Sequence, residues 1–401
     1  MNDITIIGAG IVGLATAYKI LEKNPGLKVR ILDKEQSISE HQTGHNSGVI
    51  HSGIYYKPGS LKARNCINGY KLLLDFCEKN EVDFEICGKI IVAVNEQEVP
   101  GMEFLYDRGK MHGLEGLKLL RKEELPDFEP HINGIAGIWV PQTGIVDFKK
   151  VAERIKKYLL DFGVQIHFNQ KVIGIDRRSK VVRIKTTTDT FETRLVINCA
   201  GLYSDRIARY SHNGVNVKII PFRGEYYKIK PNKQFLVKNL IYPVPNPNFP
   251  FLGVHFTRMI NGGVEAGPNA VLAFAREGYK KSQINPIELI ESLTWPGFLK
   301  VISKYWKTGF EEMYRSFSKR AFTRALQKLI PEIEESDLET GGAGVRAQAC
   351  DRSGSLLDDF LIYENEHAIH ICNAPSPAAT SSFSIGETIA QVAFKHLNWK
   401  E

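Results

Sequence analysis

The chain has 401 residues, of which 43% are hydrophobic, so it can form packed cores in two or three domains. Its net charge of +7 comes without extended basic tails, which argues against a nucleic-acid-binding protein and suits small acidic ligands or an anionic membrane surface. The six cysteines form no C-x-x-C pair, so neither a zinc site nor a disulfide framework is indicated, and no metal is expected.

The amino terminus predicts a dinucleotide-binding turn. A β-branched apolar run, Ile4–Ile7, leads into G-x-G-x-x-G at Gly8, Gly10 and Gly13, and a helical pattern follows over Leu14–Leu21. In this pattern the first glycine allows the tight turn, the second lets the backbone approach a pyrophosphate, and the third lets the helix lie on the strand. The helix N-terminus then faces the phosphates.

A second strand, Lys28–Leu32, ends at an acidic residue. Asp33 lies twenty residues beyond the last glycine of the motif, where a carboxylate can accept hydrogen bonds from an adenosine ribose. Asp33 and its neighbour Lys34 are therefore predicted to contact the dinucleotide. Because the first strand begins at residue 4, no signal peptide is expected, and no apolar run reaches the length of a membrane span. We expect a cytoplasmic location.

Residues His41–Gly59 have no periodicity and predict a loop. Small and polar residues along it suit backbone amides wrapped around a flat ligand, with His51, Tyr55 and Tyr56 able to reach that ligand. The alternative is a mobile surface loop with incidental histidines. The residues of this loop that we expect to contact the cofactor are Thr43, Gly44, Asn46, Ser47 and Gly48.

The next predicted elements are a helix over Leu61–Asn80, a strand over Ile86–Val94, a charged helix over Met102–Leu120 and a turn-rich segment over Pro126–Pro141. Asp147 is the predicted N-cap of a helix over Lys149–Phe162.

Alternation over Val164–Phe168 and Lys171–Asp176 then predicts strands that return to the nucleotide-binding region, with Val172 near the cofactor. A buried strand from Leu195 ends in the small-residue turn Ala200-Gly201, where a short side chain permits close contact with a cofactor.

The segment from Lys218 to about Pro331 has a different pattern. Pro221–Ile229 and Leu252–Thr257 alternate like antiparallel strands with one buried face, and Gly262–Pro268 supplies a turn and another strand. This predicts an inserted antiparallel sheet over the cofactor. His255 lies in one of these strands, where a hydrogen-bonded core histidine is the alternative to a catalytic one.

Residues 295–328 contain eight lysines and arginines against two glutamates, interleaved with aromatic residues. Such helical segments can lie on an anionic bilayer surface. The alternative is a pair of ordinary helices that pack by their aromatic faces and expose a solvated basic side.

The carboxy-terminal segment returns to the ligands. Arg346 follows the glycine-rich stretch Gly341–Gly344, and its guanidinium offers two parallel donors to a carboxylate. A structural ion pair is the alternative. The loop Asn373–Ser382 precedes a helix over Phe383–Leu397, so its amides can stabilise negative charge on a cofactor. The expected contacts in this loop are Pro375, Ser376, Ala378, Ala379 and Thr380.

Together, the amino-terminal glycine motif, the loop at Gly44–His51 and the turn Asn198–Gly201 resemble the FAD-dependent amino-acid-oxidase superfamily, which includes glycerol-3-phosphate dehydrogenase. More closely, residues 41–56, the stretch Val345–Gln348 and residues 373–382 resemble signature stretches of the L-2-hydroxyglutarate oxidase/dehydrogenase family. The likeness covers nearly the whole chain. Many relatives have glutamate where this chain has Asp33, a difference of one methylene.

The resemblance implies an α/β fold, with a Rossmann-like FAD-binding domain and an inserted antiparallel-sheet α+β substrate domain. We assign residues 1–85, 145–215 and 335–401 to the first, and residues 86–144 and 216–334 to the second. The implied cofactor is FAD. The implied reaction is oxidation of L-2-hydroxyglutarate, a small dicarboxylate, with electrons passed to oxygen or to a membrane quinone. The basic segment 295–328 is then an expected contact with an anionic membrane, and the location is cytoplasmic or peripheral on the membrane's inner face.

Oxidation of a secondary alcohol requires a base for the hydroxyl proton and an acceptor for the C2 hydride. His51 and His255 are the leading candidates for the base, and His370 is a weaker one because its strand offers an easy structural role. Tyr55, Tyr56, Arg346 and Arg223 are the candidates for holding the two carboxylates.

Three alternatives stay open at this stage. The chain could be a flavin-dependent oxidase of an L-amino acid or of another 2-hydroxy acid, or a flavin- or nucleotide-binding regulator without catalysis. NAD is the weaker cofactor prediction, because the turn at Ala200-Gly201 and the terminal loop fit FAD better. We expect non-covalent flavin, with neither His41 nor His45 attached to it. The sequence leaves the oligomeric state open.

Overall fold

The structure is a computed structural model that describes residues 1–178, 181–246 and 251–397. The predicted domain ranges also include the remaining residues, which lie outside this described part.

In chain order the described strands are β1 (Asn2–Ile7), β2 (Val29–Leu32), β3 (Val49–Ile50), β4 (Phe84–Glu85), β5 (Lys89–Ala93), β6 (Lys118–Arg121), β7 (Ala136–Val140), β8 (Gly144–Val146), β9 (Gln165–His167), β10 (Val172–Arg178), β11 (Val181–Thr186), β12 (Thr190–Asn198), β13 (Val217–Ile229), β14 (Leu240–Pro243), β15 (His255–Arg258), β16 (Val264–Gly267), β17 (Val271–Leu272), β18 (Leu338–Asp351), β19 (Leu361–Asn365) and β20 (Ala368–Asn373).

The described α-helices are α1 (Ile11–Lys23), α2 (Leu61–Lys79), α3 (Val99–Met111), α4 (Leu125–Phe128), α5 (Phe148–Asp161), α6 (Ser204–Ala208), α7 (Pro286–Leu293), α8 (Pro296–Phe317), α9 (Lys319–Leu326) and α10 (Ser382–His396). Asp147 caps α5 as predicted, since its carboxylate accepts a hydrogen bond from the Lys149 N–H at 2.9 Å. Among the described residues, no helix is both long enough and apolar enough to span a bilayer.

The first sheet has a parallel centre. Strands β20, β12, β1, β2 and β9 pair in parallel, and the antiparallel strands β10, β11 and β19 complete the sheet. The apolar sides of α1, α2, α5 and α10 cover one face of it, and the β10–β11 hairpin and α6 contribute to a core that includes side chains of β1 and β12. Because the carboxyl ends of parallel strands meet at one edge, the turns after β1 and β12 lie side by side.

The second sheet is mostly antiparallel and runs in the order β17-β13-β16-β15-β14-β5-β7-β6, with β18 also paired to β13. Its largest apolar core lies between these strands and α9. Sequence analysis assigned Leu338–Asp351 to the nucleotide-binding region, whereas β18 pairs with β13 along nearly its whole length. The predicted boundary at residue 335 therefore lies before a strand of the second sheet.

Two local predictions in residues 102–141 were wrong. The predicted helix over Met102–Leu120 ends at Met111, because the chain turns through Gly113 and Gly116, both of which have positive φ, and then enters β6. The predicted turn-rich segment contains α4 and also β7, which pairs with both β5 and β6. Long-range strand pairing here outweighs the local turn pattern.

Candidate active site

A cavity of about 990 Å³ runs between the two sheets. One end is lined by the turns after β1, β2 and β12, and the other by residues of β13, β14, β15 and β18. The loop between β3 and α2 and the loop before α10 also contribute to its walls. Ligand sites commonly lie at such junctions between structural units.

The turn after β1 is built as the glycine motif predicted. Gly8 has a φ of +109°, and a Cβ there would lie 2.5 Å from the Cys199 carbonyl oxygen. A Cβ on Gly13 would lie 2.0 Å from the Gly8 carbonyl oxygen, so only glycine allows α1 to lie this close to the turn. Gly10 is the N-cap of α1 and supplies no side-chain cap, which leaves the positive end of the helix facing the cavity.

Asp33 at the end of β2 lines the same end of the cavity. Its carboxylate accepts hydrogen bonds from the Ala9 N–H at 2.6 Å and the Glu35 N–H at 2.9 Å. Burial raises the pKa of this carboxyl, and the two backbone hydrogen bonds act in the opposite direction. The interaction fixes the acidic side chain against the glycine turn, where the ribose of a dinucleotide would lie.

The loop after β2 is held by its own polar groups. The Asn46 amide donates to the Thr43 carbonyl at 2.6 Å and accepts from the Gly48 N–H at 2.8 Å, while the Thr43 hydroxyl accepts from the Ile11 N–H at 3.0 Å. Gly44 and Gly48 pack closely against other backbone carbonyls.

The loop before α10 reaches the same region. The Thr380 hydroxyl accepts from the His51 N–H at 3.2 Å and donates to the Val49 carbonyl at 3.3 Å. These bonds join the carboxy-terminal loop to the loop that contains His51, although the two are more than 300 residues apart in the chain.

Most of the residues predicted to hold the cofactor line the cavity. They are Gly8, Gly10, Asp33, Lys34, Thr43, Asn46, Ser47, Val172, Ala200, Gly201, Pro375, Ser376, Ala378, Ala379 and Thr380. Gly13, Gly44 and Gly48 do not line it. Each of these three glycines permits a close backbone approach beside the cavity.

At the other end, His255 points its imidazole into a wall formed with Tyr242. The two ring centroids are 3.9 Å apart, and His255 is only 5% exposed. Its Nδ1 lies 2.9 Å from the Gly253 carbonyl, which can only accept, so Nδ1 carries the proton and Nε2 carries the lone pair. Burial, aided by the charges of Arg346 and Lys89, lowers the pKa of His255 to about 3.

His51 lies close to His255, and the two imidazoles interact electrostatically. Its Nδ1 is buried and has no hydrogen-bond partner among the described residues. Burial is the main reason that the pKa of His51 is lowered to about 3, and Lys89 adds to the effect. Both imidazoles are therefore neutral near pH 7 and able to accept a proton.

Arg346 and the glycines before it lie on β18, and Arg346 lines the cavity beside Tyr226. Its guanidinium carbon is 5.6 Å from the Phe251 ring, and it forms no ion pair with a carboxylate among the described residues. The glycines before it allow close packing, since a Cβ on Gly344 would lie 2.3 Å from the His45 carbonyl. An unpaired guanidinium in a cavity is suited to an incoming carboxylate. Tyr55 and Tyr56 line the cavity as predicted.

Two predicted candidates lie elsewhere. Arg223 does not line the cavity, because its Nε is held 3.0 Å from Glu225 Oε1 and its side chain is buried within the second sheet. The prediction that Arg223 binds substrate is corrected to a structural ion pair. His370 is buried in β20 with its ring nitrogens 3.2 Å from the Asn198 amide and 3.0 Å from the Ser211 hydroxyl, which is the structural role anticipated for it.

A polar cluster joins the second sheet's long loop to the dinucleotide end. Glu277 approaches Lys34 Nζ at 2.5 Å and His41 Nε2 at 3.2 Å, and the Tyr279 hydroxyl lies 3.0 Å from His41 Nδ1. Glu35, His41 and Glu277 offer three ligand atoms close enough for a metal ion, but the Lys34 ammonium already contacts both carboxylates. We call Lys34, Glu35, His41, Glu277 and Tyr279 the clasp.

Comparison with known proteins decides the family. A family model for FAD dependent oxidoreductase matches residues 3–392. L-2-hydroxyglutarate dehydrogenase from Indibacter alkaliphilus is 60% identical over 394 residues, covering 98% of this chain and 99% of the relative. The mitochondrial L-2-hydroxyglutarate dehydrogenase of Homo sapiens is 43% identical and covers 97% and 88% of the two chains.

This chain belongs to the L-2-hydroxyglutarate dehydrogenase family, within the FAD-dependent oxidoreductases. The family resemblance and the cofactor predicted from sequence are therefore confirmed.

Solved structures confirm the predicted fold class of this L-2-hydroxyglutarate dehydrogenase family member. FAD-bound L-α-glycerophosphate oxidase from Mycoplasma pneumoniae superposes with a TM-score of 0.81 at 24% identity, covering 100% of this chain and 95% of the other. Glycine oxidase from Geobacillus kaustophilus superposes with a TM-score of 0.73 at 16% identity, with the same coverage. At these identities the likeness concerns the fold alone.

The cavity fits the flavin dinucleotide of this family. The start of α1, where Gly10 has no side chain, and the turn at Gly8, which has no room for a Cβ, provide a backbone cradle for phosphates, and Asp33 lies beside that cradle. Tyr226, Tyr242 and Lys89 lie at or near the end of the cavity that contains His255 and Arg346, and no sequence pattern indicated this position. All three lie in strands whose apolar pattern predicts a core, and the close pairing of distant strands brings them to the site.

Proposed function

We propose that the protein is an FAD-dependent L-2-hydroxyglutarate dehydrogenase, which oxidises L-2-hydroxyglutarate to 2-oxoglutarate. The observation that carries this is the substrate end of the cavity, where two neutral imidazoles lie beside an unpaired guanidinium in a chain 60% identical to a relative of that name. The neutral imidazoles can act as the base, Arg346 can bind a carboxylate, and the relative matches over nearly its full length. All three support oxidation of a 2-hydroxy acid.

Different residues of the cavity bind the substrate and accept its hydroxyl proton. Arg346 binds the carboxylate next to the reacting carbon, because its fork of donors matches a carboxylate in two parallel hydrogen bonds. His255 accepts the hydroxyl proton at Nε2, since its Nδ1 proton is engaged with Gly253. His51 is the second candidate for this base, and Tyr55 and Tyr56 complete the walls. When bound, FAD supplies the acceptor for the hydride that leaves C2 of the substrate.

A spectroscopic experiment tests this function. The purified flavoprotein is mixed without air with L-2-hydroxyglutarate, D-2-hydroxyglutarate, L-glutamate or L-lactate, and the flavin absorbance is followed. We expect the flavin band to bleach rapidly with L-2-hydroxyglutarate alone. Faster bleaching with L-glutamate would indicate the amino-acid oxidase alternative, faster bleaching with L-lactate an oxidase of another 2-hydroxy acid, and no bleaching with any substrate a non-catalytic flavoprotein.

The basic segment supports a membrane contact. Trp295 and Phe298 pack into a core with Ile220 and Phe222, which is the arrangement expected of ordinary packed helices. The rest of α8 differs, as does α7, which precedes the segment, because large apolar side chains of both helices are exposed, with Ile287 at 71% and Phe310 at 78%. The exposed apolar residues are Ile287, Ile290, Leu293, Leu299, Ile302, Trp306, Phe310, Tyr314 and Phe317, which we call the apolar ridge.

We propose that the apolar ridge lies on an anionic bilayer, as a peripheral contact on the inner face of the membrane. Lysines such as Lys300, Lys304 and Lys307 alternate with the ridge and suit anionic lipid headgroups. Contact with the bilayer would also bring the enzyme near a membrane quinone as electron acceptor, with oxygen as the alternative.

Flotation with vesicles tests the membrane contact. The wild-type protein should float with vesicles that contain anionic lipid at low salt and should float less in their absence. Phe310→Ser should weaken flotation, whereas Phe235→Ser, an exposed phenylalanine outside the ridge, should not. Equal behaviour of both variants, or no flotation of the wild type, would remove the membrane proposal.

A further inference from the structure

Lys89 is a buried cation that the proposed reaction has not yet used. It begins β5, a central strand of the second sheet whose five residues are all buried, and its own exposure is 1%. The other residues of the strand, Ile90–Ala93, are apolar. A charged side chain at such a position costs stability unless something compensates its charge.

The described residues around Lys89 provide no counter-ion. Its ammonium lies 4.4 Å from the centroid of the Tyr55 ring and 5.0 Å from that of Tyr242, and both rings line the cavity. Among the described residues its ammonium forms no ion pair and no hydrogen bond, in contrast to Lys62, whose Nζ lies 2.6 Å from Asp358. Two aromatic faces partly stabilise the ammonium but leave its charge uncompensated.

Lys89 and Arg346 act on the same two imidazoles. The charges of both cations contribute to lowering the pKa values of His51 and of His255, so both lie within electrostatic range of the proposed base. The site thus presents two unpaired cations around one proton acceptor. A ligand with two carboxylates would neutralise both, whereas a ligand with one would leave a buried charge unpaired.

We infer that Lys89 supplies the positive charge that holds the distal carboxylate of a dicarboxylate substrate, while Arg346 holds the carboxylate next to the reacting carbon. This deepens the proposed function and rests on it for the identity of the substrate. Lys89 is then a specificity-determining residue. The flexible stem of a lysine and its compact ammonium suit a carboxylate at the end of a chain, for which the planar fork of an arginine is not needed.

The test compares two substrates that differ at one end. L-2-hydroxypentanoate has the five carbons of L-2-hydroxyglutarate but a methyl group in place of the distal carboxylate. Lys89→Met, which replaces the ammonium by an unbranched apolar side chain one atom shorter, should lower kcat/KM for L-2-hydroxyglutarate by about 100-fold, mainly through KM. It should change kcat/KM for L-2-hydroxypentanoate by less than about threefold.

Lys19→Met is the matched control, because Lys19 is also buried beside a tyrosine, Tyr18, but pairs with Glu22 and does not line the cavity. It should leave the ratio of the two kcat/KM values unchanged. Equal losses for both substrates in Lys89→Met, or no loss for the dicarboxylate, would overturn the inference. Flavin content and far-UV circular dichroism report whether each variant is folded.

A binding measurement on the wild-type holoenzyme tests the same inference without any variant, and so applies even if Lys89→Met does not fold. Burial lowers the pKa of Lys89 to about 7, while burial raises the pKa of Cys66 to about 12 and raises those of Tyr55 and Tyr242, so these neighbours do not titrate just above neutrality. His51 and His255 are already neutral there.

Calorimetry should therefore show glutarate binding weakening as the pH rises above 7, while pentanoate binding stays constant. Identical pH dependences for glutarate and pentanoate would overturn the inference. Because neither ligand reacts, this result is independent of turnover. A different outcome is that glutarate binds more tightly than pentanoate, in a way that depends on Lys89, while L-2-hydroxyglutarate is not oxidised. This outcome would contradict the proposed function and leave the inference standing.

Discussion

The two ends of the cavity are built in different ways. The dinucleotide end is made of short local motifs, in which Gly8, Gly13 and Asp33 are placed by one strand, one turn and the next strand. The substrate end is assembled from a loop and separate strands that contribute His51, His255 and Arg346, with Lys89 packed against the cavity rings of Tyr55 and Tyr242. At the first end the backbone and its close approaches matter most, and at the second the side-chain charges do.

This difference separates binding from chemistry. A change at the dinucleotide end should remove the cofactor, whereas a change at the substrate end should leave the cofactor in place and alter turnover. Four predictions test that separation, beginning with the one that has the largest expected effect.

Gly13→Val should abolish flavin binding. A Cβ at this position lies 2.0 Å from the Gly8 carbonyl oxygen, so α1 must move away from the turn that faces the phosphates. We expect a colourless protein, measured by absorbance after purification with added FAD. Gly309→Ala is the control, since a Cβ there meets nothing within 4 Å and flavin should be retained. A yellow Gly13→Val protein would contradict the backbone account of this end.

His255→Gln and His51→Gln should retain flavin but lose turnover. Loss of a general base lowers kcat by about 10²- to 10⁴-fold, and the larger loss should identify the base. Because the tautomer of His255 is fixed by Gly253, we expect its variant to show the larger effect.

His370→Gln is the control for the loss of a buried histidine. It should lower thermal stability, since it disturbs the contacts to Asn198 and Ser211, and leave kcat within about twofold. Wild-type turnover in both of the cavity variants would contradict the assignment of the base to these imidazoles.

Asp33→Asn should weaken FAD affinity by about tenfold without changing kcat of the loaded enzyme. An amide has one acceptor oxygen, so it can accept from only one of the Ala9 and Glu35 N–H groups that the carboxylate now satisfies. Titration of the apoprotein with FAD measures the affinity. A fall in kcat at saturating FAD would mean that the two ends are coupled.

The acid side of the pH profile should show the smallest effect. Burial lowers the pKa values of His51 and His255 to about 3, so the base is unprotonated in the free enzyme well below neutrality. Between about pH 7 and pH 5.5, kcat/KM should change by less than about twofold, whereas a histidine of ordinary pKa would lower it by about tenfold. A limb near pH 6.5 would indicate a solvent-exposed base.

Sequence reasoning succeeded where a residue's role is local. Gly8, Gly10 and Asp33 were found because the strand, turn and helix that give them meaning are consecutive, and His51 because it lies in a loop rich in polar residues. His255 was found with the help of the family resemblance.

The failures concern long-range pairing. Arg223 and Arg346 lie on adjacent strands of the same sheet, and only the structure shows that Glu225 pairs with the first while the second has no counter-ion among the described residues. Lys89 precedes an apolar run, and a lysine at this position is typical of the polar start of an ordinary strand. No local pattern therefore indicates that it is buried. Strand partners distant in sequence decide which charges are left without a counter-ion.

The clasp has a consequence for how the holoenzyme is made and lost. Glu277 and Tyr279, from the long loop that follows β17, are fastened to Lys34 and His41 beside the dinucleotide end. Exchange of the prosthetic group and release of this loop should therefore be a single event. We expect dialysis to remove colour only under conditions that also make the loop a target for limited proteolysis, and reloading with FAD to restore its resistance.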